Sequence, residues 1–519
     1  MSKLLLSAVV LPLGMSLTTV VPVLAIIAYA LWSYLSYRRL SHIPGPTLSH
    51  WSIIPQLSWI LSGNSFPNYG QICFHYGPLV RIAPDHVLTS NPEIIRKISA
   101  ARSPYTRSHG GIVFRSKAGV DNILSTRDDK VHNEKRQQMA AGYSGKENLD
   151  MESDMDVQVE EFVKLIEEKY VSDKDAFRPV DLSAKASFFT MDVISALAFG
   201  KTFGCLKEDR DVSGIMEQTK KAVTLLSVLI EVPWVYRVME QGMRLQGIFG
   251  GSDAGVLQSV SLAKEAVEER LVEMGLKGGG AAVPVDKQDM LGSFIRRGLP
   301  VDQLETEALL QVLAGAETTA VALRMVLLHL ASNSHAQRKL VQEIEQSGWV
   351  EGVISDKQAR EMPYLQACIK ESLRLQPPVS FLNSKVVPKG GDELDGYFVP
   401  EGTKVGWSTF AIQRSPVTFA PDPDIFRPER WILVSAGGDC ESSDTLTHMS
   451  RTDDLVFGWG RWKCLGQNVA LMELNKLVAE FSKRFEWSLC DPAKAFEVDF
   501  NVAAFVQTGM WMRVTAREM

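Results

Sequence analysis

The apolar positions of this chain follow three patterns, and two of them predict its main elements. From Glu152 to Leu375 apolar residues recur at helical spacing, and from Leu304 to Leu330 they lie almost all round, which predicts a helix buried through a domain. Asp302 and Glu305 have the spacing of a capping box that would start this helix. Short β-branched or aromatic runs predict strands at Leu79–Ile82, Val87–Thr89, Lys385–Val387, Tyr397–Val399 and Lys404–Trp407. The predicted fold class is mainly α with small β-sheets.

The amino terminus carries the third pattern, a run of 34 residues from Leu4 to Tyr37 without a charged side chain. A helix needs about 20 apolar residues to cross a bilayer, so the run predicts a transmembrane helix over about residues 15–37. A cleaved signal peptide is the alternative, but its apolar core is only about 7–15 residues long. Arg38-Arg39 follows the run and favours a cytosolic carboxyl side. We expect residues 1–40 to form a membrane anchor and residues 41–519 one large domain.

Composition excludes several classes of protein. The chain of 519 residues has 55 basic and 61 acidic side chains, a formal net charge of −6, and no block of Lys and Arg, so no nucleic-acid partner is expected. Its 6 cysteines form no CxxC pair, which excludes a disulfide scaffold and a zinc ribbon. No GxGxxG or Walker sequence occurs, so the chain binds neither flavin nor nicotinamide by those devices.

The centre of the long apolar helix carries the polar sequence Ala314-Gly315-Ala316-Glu317-Thr318-Thr319. A carboxylate beside two hydroxyls is costly in a buried helix unless each group has a partner. One interpretation is structural, with the threonines bonded inside the helix and Glu317 in an ion pair. The other is functional, with a local opening at Gly315 that admits a ligand and a Thr hydroxyl that supplies protons.

A second motif is Glu371-x-x-Arg374, within a helix predicted over Tyr364–Leu375 that ends before Pro377. Residues three apart share one helix face, so the two side chains form an ion pair. Taken alone, this spacing fits a solvated surface pair best. A further arginine, Arg430, lies downstream.

The third motif runs from Phe457 to Gly466 and contains three glycines and Cys464, followed at once by an amphipathic helix. A cysteine at a helix amino terminus has its thiolate favoured by free N–H groups and by the helix dipole. Such a thiolate is a nucleophile or a metal ligand. A buried, inert cysteine is the alternative that composition alone favours.

Together and in this order, these motifs resemble the cytochrome P-450 superfamily of haem-thiolate monooxygenases, in its membrane-anchored class. The resemblance covers nearly the whole chain. The F-x-x-G-x-x-x-C-x-G pattern of the family falls on Phe457, Gly460, Cys464 and Gly466. Its A/G-G-x-D/E-T-T pattern falls on Ala314 to Thr319, and its E-x-x-R pattern on Glu371 and Arg374 with Arg430 as the partner arginine. The resemblance implies one P-450-type domain after the anchor.

The resemblance also implies roles for individual residues. Cys464 is expected to be the axial ligand of haem iron. Glu317 and Thr318 are expected to deliver protons during catalysis, and Glu371, Arg374 and Arg430 to lock the core behind the cysteine loop. The further residues expected to bind the cofactor are His132, Arg136, Lys385, Arg461, Phe457, Gly460 and Gly466.

One position departs from the family pattern. Many members have Arg or His two residues before the cysteine, where this chain has Trp462. Either Arg461 supplies the charge for a haem propionate, or Trp462 donates only its indole N–H.

The activity implied is insertion of one oxygen atom from O2 into a lipophilic small molecule, by hydroxylation, epoxidation or multistep oxidation. The chain looks like filamentous-fungal members of secondary metabolism. The cofactor would be haem b, with electrons from NADPH through a separate flavoprotein reductase. The location would be the endoplasmic reticulum membrane, with one span in the lipid and a cytosolic catalytic domain. The alternative is a haem-thiolate isomerase or dehydratase that needs no reductase.

Overall fold

Helices dominate the chain, as the spacing of its apolar residues predicts. A computed structural model describes residues 17–245, 256–276, 288–349, 351–379, 381–432, 443–501 and 505–517. The helices in these ranges are α1 (Leu17–Leu40), α2 (Ile54–Leu61), α3 (Ser65–Tyr76), α4 (Pro92–Ser99), α5 (Asp129–Tyr143), α6 (Met151–Lys169), α7 (Leu182–Phe199), α8 (Cys205–Glu208), α9 (Ile215–Glu231), α10 (Pro233–Leu245), α11 (Val256–Glu273), α12 (Met290–Arg296), α13 (Val301–Ala331), α14 (Ser334–Gln346), α15 (Asp356–Arg360), α16 (Pro363–Leu375), α17 (Thr409–Gln413), α18 (Ser443–Asp453) and α19 (Gln467–Arg484).

Small sheets complete the fold, so the predicted class is confirmed. The strands are β1 (Leu79–Ala83), β2 (His86–Thr89), β3 (Thr106–Arg107), β4 (Val180–Asp181), β5 (Lys385–Val386), β6 (Asp392–Leu394), β7 (Tyr397–Val399), β8 (Lys404–Trp407), β9 (Phe485–Leu489), β10 (Glu497–Asn501), β11 (Phe505–Thr508) and β12 (Trp511–Ala516). All five predicted strands are present with ends within one residue. The strands after α19 were not predicted.

The largest sheet has the strand order β1-β2-β8-β5-β3. β2 and β8 are parallel, whereas β5 is antiparallel to both β8 and β3. The register sets Arg107 of β3 directly opposite Lys385 of β5. Like charges placed opposite each other on neighbouring strands repel, so this edge of the sheet is suited to an anion.

Helix α13 runs through the core, where it packs against α7, α16 and α19. It begins at Val301, and the expected capping box at Asp302 is wrong. Pro300 is the N-cap residue, and its carbonyl accepts the N–H groups of Gln303 and Leu304. A proline can take this place because the N-cap residue lies outside the helix, so the missing N–H of proline removes no hydrogen bond of the helix.

The apolar helices differ in what surrounds them. Among the described residues, α7 and α13 are long and apolar enough to cross a membrane, but 94% and 67% of their most apolar segments are buried inside the protein. In α1 the opposite holds, because large apolar side chains such as Leu24, Ile26 and Leu31 are 58–67% exposed. Residues 15 and 16 of the predicted span lie outside the described residues. Near its end, α1 contacts the domain through stacked rings of Tyr37 and Trp51.

Candidate functional site

Cys464 lies in the turn that leads into α19. Its backbone N–H donates to the carbonyl of Phe457 at 2.7 Å, which folds the segment back on itself. The thiol is accessible, yet the surrounding protein desolvates it, so burial raises its pKa. The backbone N–H groups of Gly466 and Gln467 and the charge of Arg136 act in the opposite direction and stabilise the thiolate. The geometry is that of a metal-ligand thiolate supported by helix N–H groups.

Gly460 allows this turn to approach the rest of the protein. Its φ is +60°, and a Cβ at this position would lie 2.2 Å from the carbonyl oxygen of Ser99 at the end of α4. No other residue type fits both the left-handed backbone and the contact. Gly460 therefore fixes the position of the loop against α4.

Basic side chains surround the indole ring of Trp462. Lys385 Nζ lies 3.8 Å and Arg107 Cζ 4.3 Å from the ring, and the His132 ring is centred 4.2 Å away. Arg136, one turn after His132 on α5, donates to the carbonyl of Lys463 at 2.6 Å. The register of β3 and β5 and the position of α5 thus bring distant basic residues to one place beside Cys464.

This cluster has more positive charge than its neighbours neutralise. Arg461 is held by Asp129 at 3.0 Å and by the carbonyl of Ser103 at 2.8 Å. Burial lowers the pKa of Lys385 well below its usual value, and the charges of Arg107 and Arg461 lower it further. Burial, Arg107 and Arg136 likewise lower the pKa of His132 to about 3.

Three nitrogen atoms in the cluster have no hydrogen-bond partner among the described residues, His132 Nδ1, Trp462 Nε1 and Arg461 Nε, and all three are buried. Unpartnered buried polar atoms are rare in folded proteins. A ligand with two carboxylates would accept from the N–H groups among them and neutralise the excess charge. The residues present therefore fit a haem, with Cys464 as the residue that would bind its iron and the cluster around Trp462 as the residues that would bind its propionates.

Glu317 and Thr318 lie at the middle of α13 with different surroundings. Thr318 Oγ1 donates to the carbonyl of Ala314 at 2.6 Å, and Ala314 itself is exposed although most of the helix is buried. Glu317 forms an ion pair with Arg324 at 2.7 Å and accepts from Ser187 of α7 at 3.1 Å. These are the helix-internal bond and the ion pair of the structural interpretation.

The opening expected at Gly315 is not formed, because α13 is a continuous α-helix from Val301 to Ala331. A Cβ on Gly315 would lie 3.0 Å from the side chain of Ile194 on α7. The absence of a side chain at Gly315 therefore allows α13 and α7 to pack closely together. Near Gly315, the exposed residues of α13 are instead Leu313 and Ala314, on the neighbouring part of the helix surface.

Glu371 and Arg374 are completely buried, so the surface ion pair that the spacing alone favours is excluded. The Glu371 carboxylate accepts from Arg374 Nη2 at 2.8 Å, from Arg430 Nε at 2.9 Å and from Trp431 Nε1 at 2.9 Å. Burial alone would raise the pKa of Glu371, but the two arginines outweigh it and the net pKa is lowered. The three expected partners are thus brought together in one network.

Sequence reasoning missed four residues of the site, namely Arg107, Asp129, Ser187 and Arg324. Each lies far along the chain from the motif it supports, except Arg324, which is two helical turns after Glu317. Because residues seven apart lie on one helix face, this spacing could have predicted the ion pair between Glu317 and Arg324.

Comparison with known proteins identifies the family to which the chain belongs. A sequence model of the cytochrome P450 family matches residues 44–507. The cytochrome P450 monooxygenase ABA1 of Pyricularia oryzae is 38% identical over 506 residues, which cover 94% of this chain and 95% of that protein. The cytochrome P450 monooxygenase aba1 of Botryotinia fuckeliana is 33% identical over 489 residues, 92% of each chain. The cytochrome P450 monooxygenase pkfB of Emericella nidulans is 29% identical over 515 residues, 97% of each chain. The chain therefore belongs to the cytochrome P450 family and is a haem-dependent monooxygenase.

Proposed function

We propose that the chain holds haem b through Cys464 and oxidises a lipophilic small molecule by hydroxylation, epoxidation or a short series of such steps. The observation that carries this proposal is the accessible Cys464 thiol, whose sulfur is faced by the N–H groups of Gly466 and Gln467. When bound through a thiolate, haem iron activates dioxygen for insertion into an organic substrate. Phe457 and Gly460 shape the loop that presents the sulfur.

The haem propionates would be bound by the cluster around Trp462. Trp462 Nε1, Arg461 Nε and His132 Nδ1 are the buried nitrogen atoms without partners, and Arg136, Lys385 and Arg107 supply positive charge. Arg461 adds charge from the far side of Trp462, at 5.4 Å, while its own N–H groups hold the segment at Ser103. Arg461 Nε is likewise buried without a partner, so both Trp462 and Arg461 would have an N–H group free to donate to a propionate.

Thr318 and Glu317 would control protons on the open side of α13. The Thr318 hydroxyl now donates to Ala314, and release of that bond would let it donate to an oxygen atom beside the helix. Glu317 would pass a replacement proton from solvent to the hydroxyl after leaving Arg324, its ion-pair partner between transfers.

The buried triad of Glu371, Arg374 and Arg430 would keep the core rigid behind the Cys464 loop. Arg374 also donates to the carbonyls of Gln413 and Pro423, both at 2.6 Å, and so ties α16 to the long segment that precedes Cys464. Its role would be structural, without contact with substrate.

We further propose one membrane anchor, residues 1–40, and one catalytic domain, residues 41–519, on the cytosolic face of the endoplasmic reticulum. The exposed apolar surface of α1 supports this, because such a surface is stable in lipid and costly in water. Trp234 and Val238 of α10 are 66% and 64% exposed and would touch the same membrane. Electrons would come from NADPH through a flavoprotein reductase in that membrane. The fungal relatives support a role in secondary metabolism.

The thiolate assignment is tested by carbon monoxide binding. The reduced parent protein with carbon monoxide should show the red-shifted Soret band that a thiolate ligand produces, and Cys464→Ser should lose it. Cys490→Ser is the matched control, because Cys490 is also an exposed thiol but lies after β9, away from α5 and Trp462. Retention of the band in Cys464→Ser would refute the assignment. Label from dioxygen in the product of the parent enzyme would exclude the isomerase alternative.

A further inference from the structure

Lys135 of α5 and Glu307 of α13 form an ion pair inside the protein. Both side chains are buried, and Lys135 Nζ lies 3.4 Å from Glu307 Oε1. Lys135 Nζ also donates to the backbone carbonyl of Asp121, in the segment of residues 121–125 that precedes α5. Neither Lys135 nor Glu307 is a residue to which the family pattern gives a role. The pair therefore joins three parts of the fold, namely α5, α13 and the 121–125 segment.

The same segment is bound on its other side by a residue of the basic cluster around Trp462. Arg107 of β3 donates to the carbonyl of Ile123 at 3.0 Å and to the carbonyl of Leu124. Its guanidinium carbon lies 4.3 Å from the Trp462 ring. The backbone N–H of Ile123, in turn, is close enough to Glu307 to lower the pKa of that carboxyl. The segment is thus held between Glu307 and Arg107, and a shift of the segment would shift the Arg107 side chain.

Helix α5 provides a second connection between Glu307 and the cluster. Lys135 is three residues after His132 and one residue before Arg136. The His132 ring is centred 4.2 Å from the indole ring of the cluster, and Arg136 donates to the backbone of the loop that carries the cysteine. Because Glu307 holds Lys135 from α13, it restricts the rotation of α5 that presents His132 and Arg136.

The surroundings of Glu307 make its ion pair a weak contributor to stability. Glu307 Oε2 is buried and has no hydrogen-bond partner among the described residues. Burial raises the pKa of Glu307 to about 7, although Lys135 and the nearby backbone N–H oppose the shift. Of the other titratable groups nearby, Tyr143 of α5 has its pKa raised by burial and by the charge of Glu307, and the Asp121 carboxylate is paired with Arg115 at 2.7 Å. In a buried pair of this kind the loss of hydration offsets the attraction, and the main effect is to fix the geometry of the elements that the pair joins.

We propose that Glu307 is a positioning residue for the basic cluster around Trp462. Its ionised carboxylate holds Lys135, and the pair keeps α5 and the 121–125 segment in the arrangement that presents the basic side chains to the haem propionates. Glu307 acts through these two elements rather than by contact with the haem. This inference rests on the proposed function, because the cluster is the proposed propionate site.

The test is the rate of haem transfer to apomyoglobin from the haem-loaded full chain in lipid nanodiscs, measured at pH 8 and at pH 6. At pH 8 Glu307→Gln should transfer haem at least about threefold faster than the parent, since it loses part of the tenfold or more that a hydrogen bond between charged groups contributes. At pH 6 the parent carboxyl is largely protonated and matches glutamine in charge and shape, so the two rates should agree.

A double-mutant cycle shows whether Glu307 acts through Lys135. Lys135→Met should transfer haem faster than the parent at both pH values, because it removes the hydrogen bond to the 121–125 segment as well as the ion pair. The double variant should match Lys135→Met alone, since the two side chains form one unit. Additive effects, an unchanged rate in Glu307→Gln at pH 8, or an equal rate ratio of Glu307→Gln to parent at the two pH values would each overturn the inference.

Asp289→Asn is the matched control, because Asp289 forms an equally buried ion pair with Arg270 at 2.6 Å that joins α11 to the start of α12 instead. Any change in its transfer rate should be the same at both pH values. Arg107→Gln separates a failure of this inference from a failure of the proposed function. It removes a charge of the cluster itself and should transfer haem faster than the parent; an unchanged rate would contradict the propionate site, whereas a faster rate beside an unchanged Glu307→Gln would overturn the role of Glu307 alone.

Discussion

The buried network around Glu371 allows a quantitative test by one nearly isosteric substitution, Glu371→Gln. In the parent, one carboxylate accepts N–H groups from Arg374, Arg430 and Trp431 and one backbone N–H from Arg427, at 2.8–3.0 Å. Glutamine has one acceptor oxygen, and its NH2 group must face one of these donors. The substitution also leaves Arg374 and Arg430, both fully buried, without a negative partner.

Leaving a buried charge uncompensated costs about 3–5 kcal/mol. For a chain of this length the unfolding entropy is on the order of 1 kcal/mol/K, from about 2.1 cal/mol/K per residue. Glu371→Gln should therefore lower Tm by about 3–5 °C. The substitution should also lower the haem content of the protein, because Arg374 ties α16 to the carbonyls of Gln413 and Pro423 in the segment that leads to Cys464.

The assay is thermal unfolding by circular dichroism together with the haem content per mole of purified protein. Glu217→Gln is the control, because its partner Lys221 is 74% exposed and a surface pair of this kind contributes at most about 0.5 kcal/mol. Equal Tm values for Glu371→Gln and Glu217→Gln, with full haem content in both, would refute the reasoning that burial makes this network structural.

The remaining predictions concern the proton, the propionates, the membrane and pH. Thr318→Ala should still bind haem and consume NADPH, but release mostly hydrogen peroxide; unchanged product per NADPH would remove its hydroxyl from the mechanism. Trp462→Phe should transfer haem to apomyoglobin about five- to tenfold faster than the parent, because it lacks the indole N–H; an equal rate would assign the contact to Arg461. Deletion of residues 2–37 should move most protein to the soluble fraction with its haem retained, and loss of haem would make the anchor part of the fold. Burial raises the pKa of Asp453 to about 8. The native state therefore keeps a proton that the unfolded state has lost, stability falls as pH rises towards 8, and Asp453→Asn should flatten that fall in Tm.

The sequence predicted those features that depend on neighbouring residues. Apolar spacing located α13, and β-branched runs located the strands at Val87 and Val405, because local geometry decides which face of an element is buried. The sequence places the start of α13 at Asp302, but the helix begins at Val301. Two signals compete there: the acidic pair at 302 and 305 indicates an N-cap at Asp302, whereas the N-cap residue is Pro300. The strands after α19 escaped notice because two-residue periodicity is weak in short segments.

Burial of the charged motifs could not be predicted by such reasoning. The spacing of Glu371 and Arg374 is the same whether their helix face is exposed to water or packed against protein. The hydrogen bonds from Arg430 and Trp431 to Glu371 show that this face is packed against protein. The same holds for Glu317, whose partner Ser187 belongs to a different helix. Motif spacing fixes which side chains share a face, and tertiary packing fixes what that face meets.

The surroundings of Trp462 show how far a departure from a family motif can be compensated. Taken alone, an indole in place of Arg or His removes a positive charge two residues before Cys464. In the fold, the antiparallel register of β3 and β5 places Arg107 opposite Lys385, and both cations lie against the indole ring at 4.3 and 3.8 Å. Cation–π attraction stabilises this arrangement, which two like charges alone would disfavour. The positive charge that the motif lacks is therefore supplied by Arg107 of β3, more than 350 residues earlier in the chain. Trp462, which stands in place of the usual Arg or His, holds the Arg107 guanidinium against its ring.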